Sequence, residues 1–380
     1  MRLKKTIKQL LIRYSAYEIS QNIYTKIKNQ KLAYTVQKYR KTGNLPLPQM
    51  TFFEPTLRCN QRCKMCFQDR TSLSKQKELS LEQIVTFFDQ NAYLKKVTLI
   101  GGEIFIRKDI IPLIQHLNKN HDLVLCTNGT LISDVEIQAI ADSNGIYTIS
   151  ISLDSSNEKL YHSICRGRPE DFGNVLETIK KISQIVPVTV NCVIQDDNIN
   201  ILDALVDVCT KIGGSQLKLK LELERLYPHD AINRAIGELN LTPEALPFSH
   251  ESRKRNYSLQ TLKDKLMACK ASGKEKGILV FGDPPYLLDH IALCYDNRLL
   301  DKKKCVCEAF RTATITSNGD VLHCPHIRKK LGNILESAFI EIWNSKKANA
   351  FRKELLENNM TCICENCPFM VPVSDLKNNS

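Results

Sequence analysis

The chain has 380 residues, 43% of them hydrophobic and 25% charged, which is enough apolar material to bury a large core. No apolar run reaches the roughly 18 residues that a membrane span needs, and charges interrupt the N-terminal MRLKKTIKQLLIRY, so the pattern excludes a transmembrane helix and a secretory signal. We therefore expect a cytoplasmic protein with a large domain and a smaller appended one, whose 15 cysteines bind a metal or cluster rather than form disulfides.

The net charge of +12 is concentrated in a basic leader segment, predicted with its linker at residues 1–48. Residues 1–43 hold eleven Lys or Arg against one acid, Glu18, and so carry +10. Apolar residues recur in this segment on one face of a predicted helix, at Leu3, Ile7, Leu10, Leu11 and Tyr14. Such a helix suits peripheral contact with an anionic membrane or a partner, or it packs on the protein body with its basic face in solvent. The second interpretation is favoured.

Residues 49–226 alternate short apolar runs with longer helical patterns, as βα repeats do. This predicts an α/β fold, a partial (β/α)6 TIM-like barrel with its functional residues at the C-terminal strand ends. The predicted strands are Thr51–Thr56, Lys96–Ile100, Asp122–Cys126, Tyr147–Leu153, Val188–Ile194 and Gln216–Leu223, with Gly277–Phe281 as a seventh candidate. The predicted helices are Ser80–Asn91, Lys108–Asn118, Asp134–Ala141, Gly173–Ile185 and Asn200–Ile212.

Three cysteines in CNQRCKMC, Cys59, Cys63 and Cys66, follow the first predicted strand. A CxxxCxxC loop can bind three irons of a [4Fe–4S] cluster and leave the fourth iron open for another ligand. Zinc is the alternative, although a structural zinc normally has four protein ligands and no fourth Cys or His lies nearby in the sequence.

These residues resemble the signature of the radical S-adenosylmethionine (SAM) superfamily, and other segments match it in chain order. Gly101-Gly102-Glu103 follows the second strand, as the GGE motif of that family does. Asn128 follows the third strand, and Ser152 and Asp154 end the fourth. The segment HSICRG is similar to the HDxxRG segment of the peptide-maturing branch, with Ser163 in place of the acid.

The resemblance implies a SAM-binding [4Fe–4S] cluster, which cleaves SAM to methionine and a 5′-deoxyadenosyl radical that removes a substrate hydrogen. It implies that the GGE backbone and the Glu103 carboxylate bind the SAM ammonium, that Arg166 pairs with the SAM carboxylate, and that Met65 lies near the adenine. The SAM contacts that it implies are Met65, Gly101, Gly102, Glu103, Asn128, Ser152, Asp154, Arg166 and Asn191.

Residues 227–304 lack a sustained period and are interpreted as an irregular linker or lid that carries the seventh strand candidate. An oxidation also needs a group that accepts a proton, and carboxylates at late strand ends suit this task. The tentative catalytic bases are Glu222, Glu224 and Asp283.

Residues 305–380 form a second cysteine-rich unit, in which the turn Asn318-Gly319 predicts a hairpin that brings Cys307 and Cys324 together. The segments NGDVLHC, LGNI and EIWNS resemble the SPASM and twitch extensions of radical SAM enzymes, which bind auxiliary iron–sulfur clusters. We expect one auxiliary [4Fe–4S] cluster, while zinc at the same four cysteines remains the alternative. The expected ligands are Cys307, Cys324, Cys364 and Cys367, with Cys294, Cys305 and Cys362 spare.

Other residues of metal-binding type receive plainer interpretations. His323 and His326 are interpreted as surface histidines. Five cysteines are interpreted as ordinary buried thiols, namely Cys126, Cys165, Cys192, Cys209 and Cys269.

The resemblance implies oxidation or maturation of either a peptide or a small molecule such as a sugar or aminocyclitol, with a flavodoxin or ferredoxin as electron donor. A different class of function is a zinc-binding, basic protein that associates with nucleic acid through residues 1–43. The chain beyond residue 43 is nearly balanced at +2, so nucleic acid is not expected as a partner.

Overall fold

The computed structural model describes residues 16–66, 77–143, 145–221, 229–241, 246, 255–283, 287–288, 291–292, 305–357, 360, 364, 367 and 369–372. Several residues singled out above lie outside the described residues, namely the leader positions Leu3 to Tyr14, the base candidates Glu222 and Glu224, and the spare cysteines Cys294 and Cys362.

Seven parallel strands in sequential order form the main sheet, which curves as a partial barrel. One face of each strand packs against helices, and the other faces the lumen. In the sixth strand, for example, Leu217, Leu219 and Leu221 are buried while Lys218 and Lys220 alternate with them. The strands are β1 Met50–Thr56, β2 Lys96–Gly101, β3 Asp122–Thr127, β4 Ile146–Ser152, β5 Val188–Ile194, β6 Gln216–Leu221 and β7 Leu279–Asp283.

Helices connect these strands and cover the outside of the barrel, as parallel pairing requires. The helix α1 precedes the first strand, and short 3₁₀ turns occur at Ile104–Ile106 and Ile199–Ile201. The helices of this region are α1 Ala16–Thr42, α2 Leu81–Gln90, α3 Ile110–Leu117, α4 Asp134–Ala141, α5 Glu158–Cys165, α6 Asp171–Ser183, α7 Leu202–Lys211, α8 His229–Glu238 and α9 Leu259–Lys276.

The segment 227–304 is more regular than the sequence predicts. It contains α8, α9 and β7, and β7 pairs in parallel with β6. Ser258 caps the N-terminus of α9 and Gly277, in a left-handed conformation, ends it. The buried residues Leu262, Leu266 and Cys269 recur at helical spacing, but the intervening lysines dilute the pattern.

Five further strands build the C-terminal unit. Strands β9 Thr312–Ile315, β10 Asp320–Leu322 and β11 Lys330–Asn333 extend the main sheet, because β9 pairs in parallel with β1. The predicted hairpin at Asn318-Gly319 is confirmed by the antiparallel pairing of β9 with β10, and Gly319 has a positive φ of 87°. The remaining elements are β8 Cys305–Cys307, a 3₁₀ turn at Glu308–Phe310, α10 Phe339–Trp343, α11 Lys346–Glu357 and β12 Met370–Pro372.

The described part of the basic leader packs on the C-terminal unit. In α1, Leu32, Val36 and Tyr39 are buried, and the Arg311 guanidinium donates to the Lys28 carbonyl at 2.9 Å. These residues of α1 therefore dock on the protein body, whereas the predicted apolar face from Leu3 to Tyr14 lies outside the described residues. No helix among the described residues is both long and apolar enough to cross a membrane.

Candidate active site

The first cysteine loop leaves the C-terminal end of β1 and is anchored to the end of α5. The backbone N–H of Arg62 donates to the Cys165 carbonyl at 3.1 Å, and that of Lys64 donates to the Ile164 carbonyl at 2.9 Å. Cys59, Cys63 and Cys66 are half-buried. The loop is therefore held by its backbone, and its three cysteines are partly exposed.

Gln61 is the buried anchor of this loop, with 1% of its surface exposed. Its amide nitrogen donates to the Tyr161 hydroxyl at 2.9 Å and to an Asp171 carboxylate oxygen at 3.2 Å. The role of Gln61 is not evident from the sequence, because its partners lie 100 and 110 residues further along the chain.

Gly101 and Gly102 allow the end of β2 to approach the cysteine loop closely. The N–H of Gly102 donates to the Thr56 carbonyl at 2.9 Å, and that of Glu103 donates to the Arg58 carbonyl at 2.8 Å. A Cβ at Gly101 would lie 2.4 Å from the Thr56 oxygen, and one at Gly102 would lie 2.1 Å from the Arg58 oxygen. Only glycine allows this approach.

The Glu103 side chain is fully buried and links β2 to β3. Its carboxylate accepts hydrogen bonds from the Thr127 hydroxyl and the Asn128 N–H, both at 2.7 Å, and from the Phe105 N–H at 3.1 Å. Burial raises the pKa of Glu103, and these hydrogen bonds act in the opposite direction. The resemblance implies that this carboxylate binds the SAM ammonium, and in the structure it already accepts three hydrogen bonds from the protein.

Asn128 brings the end of β3 to the cysteine loop. Its side-chain nitrogen donates to the Asn60 side-chain oxygen at 2.8 Å and lies 3.9 Å from the Cys59 sulfur. Met65, on the same loop, is partly buried against the hydrophobic core. The ends of β1, β2 and β3 thus meet at the cysteine loop.

Ser152 and Asn191 lie side by side in the register of β4 and β5. The Asn191 amide donates to the Ser150 hydroxyl, but its buried Oδ1 accepts no hydrogen bond from the described residues. A buried acceptor without a donor costs roughly 1–3 kcal/mol, so a ligand that donates there would recover this cost.

Asp154 ends the same region of β4 in a buried position. One carboxylate oxygen accepts a hydrogen bond from the Val193 N–H at 2.7 Å. Burial raises the pKa of Asp154 to about 7, because the carboxylate form is desolvated. The residue ties β4 to β5 beside Asn191.

Arg166 lies just after α5 in a left-handed conformation, with φ of 51°, and its side chain is exposed. Within the described residues, the Arg166 guanidinium takes part in no hydrogen bond or ion pair. The neighbouring Ser163, which replaces the family's acid, receives a hydrogen bond from the Lys64 ammonium at 3.2 Å. The substitution therefore joins α5 to the cysteine loop without engaging Arg166.

Strands β6 and β7 bring two lysines and a carboxylate to the lumen. Asp283 at the end of β7 is one-third exposed, and its carboxylate lies 3.8 Å from the Lys220 ammonium. Lys218 lies over the Phe281 ring, 5.5 Å from its centroid. Of the three base candidates, Asp283 is the one that the structure describes.

A buried ion pair joins the barrel to the C-terminal unit. Arg328 donates two hydrogen bonds, of 2.9 and 2.7 Å, to the two carboxylate oxygens of Glu54 on β1. The side chains are 7% and 1% exposed. This pair is not evident from the sequence, because Glu54 is an isolated acid in an apolar strand.

Four buried cysteines gather in the C-terminal unit. Pairing of β8 with β12 places Cys307 opposite Met370, close to Cys367. The N–H of His326 donates to the Cys324 sulfur and that of Phe369 to the Cys367 sulfur, both at 3.4 Å. Burial raises the pKa of Cys307 and of Cys324, and bound iron would offset this cost by favouring thiolates. Cys364 is likewise buried.

The two histidines beside Cys324 are buried, so their interpretation as surface residues is wrong. His323 is 1% exposed and packs against Phe310 and Phe351, and this burial lowers its pKa well below the usual value. His326 is 5% exposed and its Nδ1 lies 3.4 Å from the Cys367 sulfur. The apolar residues around the hairpin enclose both rings, and only His326 contacts an expected ligand.

Single-ion coordination is not seen in the described part of the chain, where no three His, Cys, Asp or Glu side chains converge on one point. A four-iron cluster separates its cysteines more widely than one zinc ion does.

Of the five cysteines interpreted as ordinary thiols, Cys165, Cys192, Cys209 and Cys269 are buried, and Cys126 is partly exposed.

Family models match both units of the chain. Residues 53–208 match the radical SAM superfamily, and residues 305–368 match the SPASM iron–sulfur cluster-binding domain. The chain belongs to the radical SAM superfamily. Its C-terminal unit is a SPASM domain.

Curated relatives of this radical SAM protein include GTP 3′,8-cyclases. The chain is 30% identical to a probable GTP 3′,8-cyclase of Methanopyrus kandleri over 169 residues, which cover 43% of this chain and 53% of the relative. It is 33% identical to a GTP 3′,8-cyclase of Clostridium perfringens over 150 residues, which cover 37% and 45%. The chain thus spans about half the length of these relatives.

Solved structures share the fold. Streptococcus suis SuiB matches with a TM-score of 0.62 and 18% identity, covering 85% of this chain and 72% of SuiB. The protein anSMEcpe with bound AdoMet matches with a TM-score of 0.58 and 18% identity, covering 80% and 82%. These likenesses support the barrel and its C-terminal extension as one architecture.

A radical SAM domain binds a [4Fe–4S] cluster and SAM, and a SPASM domain binds auxiliary iron–sulfur clusters. The residues present fit these groups. Three partly exposed cysteines lie on an anchored loop, the Asn191 Oδ1 accepts no hydrogen bond from the described residues, and the Arg166 guanidinium is exposed. The four SPASM cysteines supply the buried sulfur atoms that a fully ligated cluster requires.

Proposed function

We propose that the protein is a radical SAM enzyme that removes a hydrogen atom from a peptide or small-molecule substrate and so oxidises or matures it. The observation that carries the proposal is the meeting of the partly exposed three-cysteine loop with the GGE strand edge at the C-terminal end of the barrel. When bound, the cluster and SAM supply a 5′-deoxyadenosyl radical.

The chain's own residues would bind SAM and orient it. Backbone groups of Gly101–Glu103 would contact the methionine ammonium, and the Arg166 guanidinium would pair with its carboxylate. The Asn191 Oδ1, which accepts no hydrogen bond from the part of the chain that the structure describes, would accept one from SAM, with Ser152 beside it. Met65 would pack near the adenine.

The proton released on oxidation needs an acceptor within the lumen. Asp283 is our proposal among the described residues, because it lies at a strand end and is one-third exposed. Glu222 and Glu224 remain candidates by sequence. A flavodoxin or ferredoxin is the electron donor that we expect.

The substrate class follows less directly from the family. The relatives are named for GTP, so GTP is the first small molecule to test. A solved neighbour is described as bound to its precursor peptide, so peptides form the second set.

The experiment is anaerobic reconstitution with iron and sulfide, followed by addition of SAM and a reductant. We expect a brown protein that forms 5′-deoxyadenosine, and deuterium should pass from one labelled candidate substrate into that product. Cys63→Ala should abolish SAM cleavage, whereas Cys209→Ala, on the outer helix α7, should retain it. A colourless, zinc-loaded protein that leaves SAM intact after reconstitution would contradict the proposal.

A further inference from the structure

Two lysines of β6 face the barrel lumen. Lys218 and Lys220 alternate with buried leucines that pack outward, so they occupy the opposite face of the strand. Both lie within electrostatic range of Cys126 on β3, although β3 and β6 are not neighbours in the sheet. An electrostatic interaction between residues of non-adjacent strands is expected only when both side chains face the lumen.

Two carboxylates of the described residues, Asp283 and the buried Asp154, lie within electrostatic range of this pair. The one carboxylate within ion-pair distance of Lys220 is Asp283, at 3.8 Å, and Lys218 has none within that part of the chain. Burial, followed by repulsion from Lys220, lowers the pKa of Lys218. Arg328 adds no free charge, since Glu54 neutralises it. Among the described residues, this side of the lumen therefore holds two lysines and one carboxylate within ion-pair distance.

The pair also lies beside the proposed SAM contacts. In the strand register Lys218 is opposite Asn191, which is opposite Ser152, and Lys220 is opposite Val193 one layer further along. A substrate that gives up a hydrogen atom to a group derived from SAM must lie next to SAM. A substrate in that place would meet both ammonium groups.

We infer that Lys218 and Lys220 bind an anionic group of the substrate, a phosphate or a carboxylate, inside the barrel. This inference rests on the proposed function, which places SAM at the same strand ends. Two ammonium groups on one strand supply up to six N–H donors, and lysine binds phosphate or carboxylate as a point charge. An anion there would also offset the cost of the partly buried Lys218 charge.

The test measures anion binding to the full-length, cluster-loaded, SAM-saturated protein by anaerobic calorimetry. Sodium pyrophosphate is the phosphate probe and sodium glutarate is the carboxylate probe. We expect at least one of them to bind the wild type, and Lys218→Met or Lys220→Met to weaken that binding about tenfold, as expected when a charged hydrogen bond is lost. Lys220→Arg, which keeps the charge, should restore most of the affinity.

The matched control is Lys211→Met, which removes an exposed lysine at the end of α7 outside the barrel and should leave anion affinity unchanged. Binding of pyrophosphate alone assigns a phosphate, and binding of glutarate alone assigns a carboxylate. The inference is wrong if neither anion binds the wild type, or if Lys218→Met and Lys220→Met, with unchanged unfolding transitions, bind as tightly as Lys211→Met.

Formation of 5′-deoxyadenosine by the wild type in the same preparations distinguishes failure of the lysine site from failure of the proposed function. If the wild type cleaves SAM but no anion binds, the proposed function stands and the lysine site fails. If anion binding depends on Lys218 but fully loaded wild type leaves SAM intact, the proposed function fails instead.

Discussion

Gly102 sets how closely two loops of the active site approach each other. Its hydrogen bond to Thr56 holds the GGE edge against the start of the cysteine loop, and a Cβ would lie 2.1 Å from the Arg58 carbonyl oxygen. Because that neighbour is backbone, it can give way only if the loop moves. A change of one methyl group should therefore disturb the three thiols.

We expect Gly102→Ala to lower the free energy of unfolding by about 1–3 kcal/mol, the usual cost of overpacking, and to prevent loading of the SAM-binding cluster. Iron analysis after reconstitution and urea unfolding measure the two effects. Gly173→Ala is the matched control, because an added Cβ there meets nothing within 4 Å and the residue lies in helix α6. Full cluster loading in Gly102→Ala would contradict the close-approach argument.

Single residues were predictable where a motif fixes both their type and their neighbours. The cysteine loop and Gly101–Glu103 are such cases, because strand ends of one parallel sheet meet at one edge. The role of Gln61 was not predictable, since it depends on Tyr161 and Asp171 packing under the loop. The hydrogen bonds of the Glu103 carboxylate to the end of β3 were not predictable either, because they depend on how β2 and β3 are placed in the sheet.

At the scale of elements, β1 is joined to the SPASM domain by the Glu54–Arg328 ion pair as well as by its pairing with β9. A buried carboxylate that loses its cation is costly, because neither water nor another charge compensates it. The interface between the two domains should therefore depend on both members of the pair.

We expect Arg328→Met to lower the free energy of unfolding by roughly 3–5 kcal/mol, and the double variant Glu54→Gln/Arg328→Met to recover part of that loss. Urea unfolding of the four members of this cycle measures the coupling. Lys353→Met removes an exposed ion pair to Glu357, with side chains 74% and 64% exposed, and should change stability by less than about 1 kcal/mol. A loss in Arg328→Met no larger than in Lys353→Met would show that the pair is not important.

Periodicity predicted the strands well and some helices poorly. The six main strands were predictable because apolar and β-branched runs are short and are separated by helical patterns. Helix α9 was missed, since its buried face carries Leu262, Leu266 and Cys269 among many lysines. In Gln216–Leu223 the alternation that predicts a strand also places Lys218 and Lys220 on one face. The sequence does not show that this face lines the lumen, because that depends on how the strands form the barrel.

At the scale of the whole molecule, two cysteine sites differ in access. Cys59, Cys63 and Cys66 are half-buried at the open end of the barrel, whereas Cys307, Cys324, Cys364 and Cys367 are all buried in the SPASM domain. The half-buried set has three thiols and would leave one iron open for SAM, while the buried set has four and would complete a cluster without another ligand. This contrast predicts separate roles, chemistry at the first site and electron transfer at the second.

With one auxiliary cluster, the reconstituted wild type should contain about eight irons and eight sulfides per chain. Cys324→Ala should reduce the iron to about four while SAM cleavage continues and substrate oxidation is lost, because the first site does not depend on that thiol. Cys63→Ala should also reduce the iron to about four but abolish SAM cleavage. Iron analysis, electron paramagnetic resonance and the yields of 5′-deoxyadenosine and oxidised product measure each effect. About twelve irons in the wild type would reveal a second auxiliary cluster, and equal loss of SAM cleavage in both variants would contradict the division of roles between the two sites.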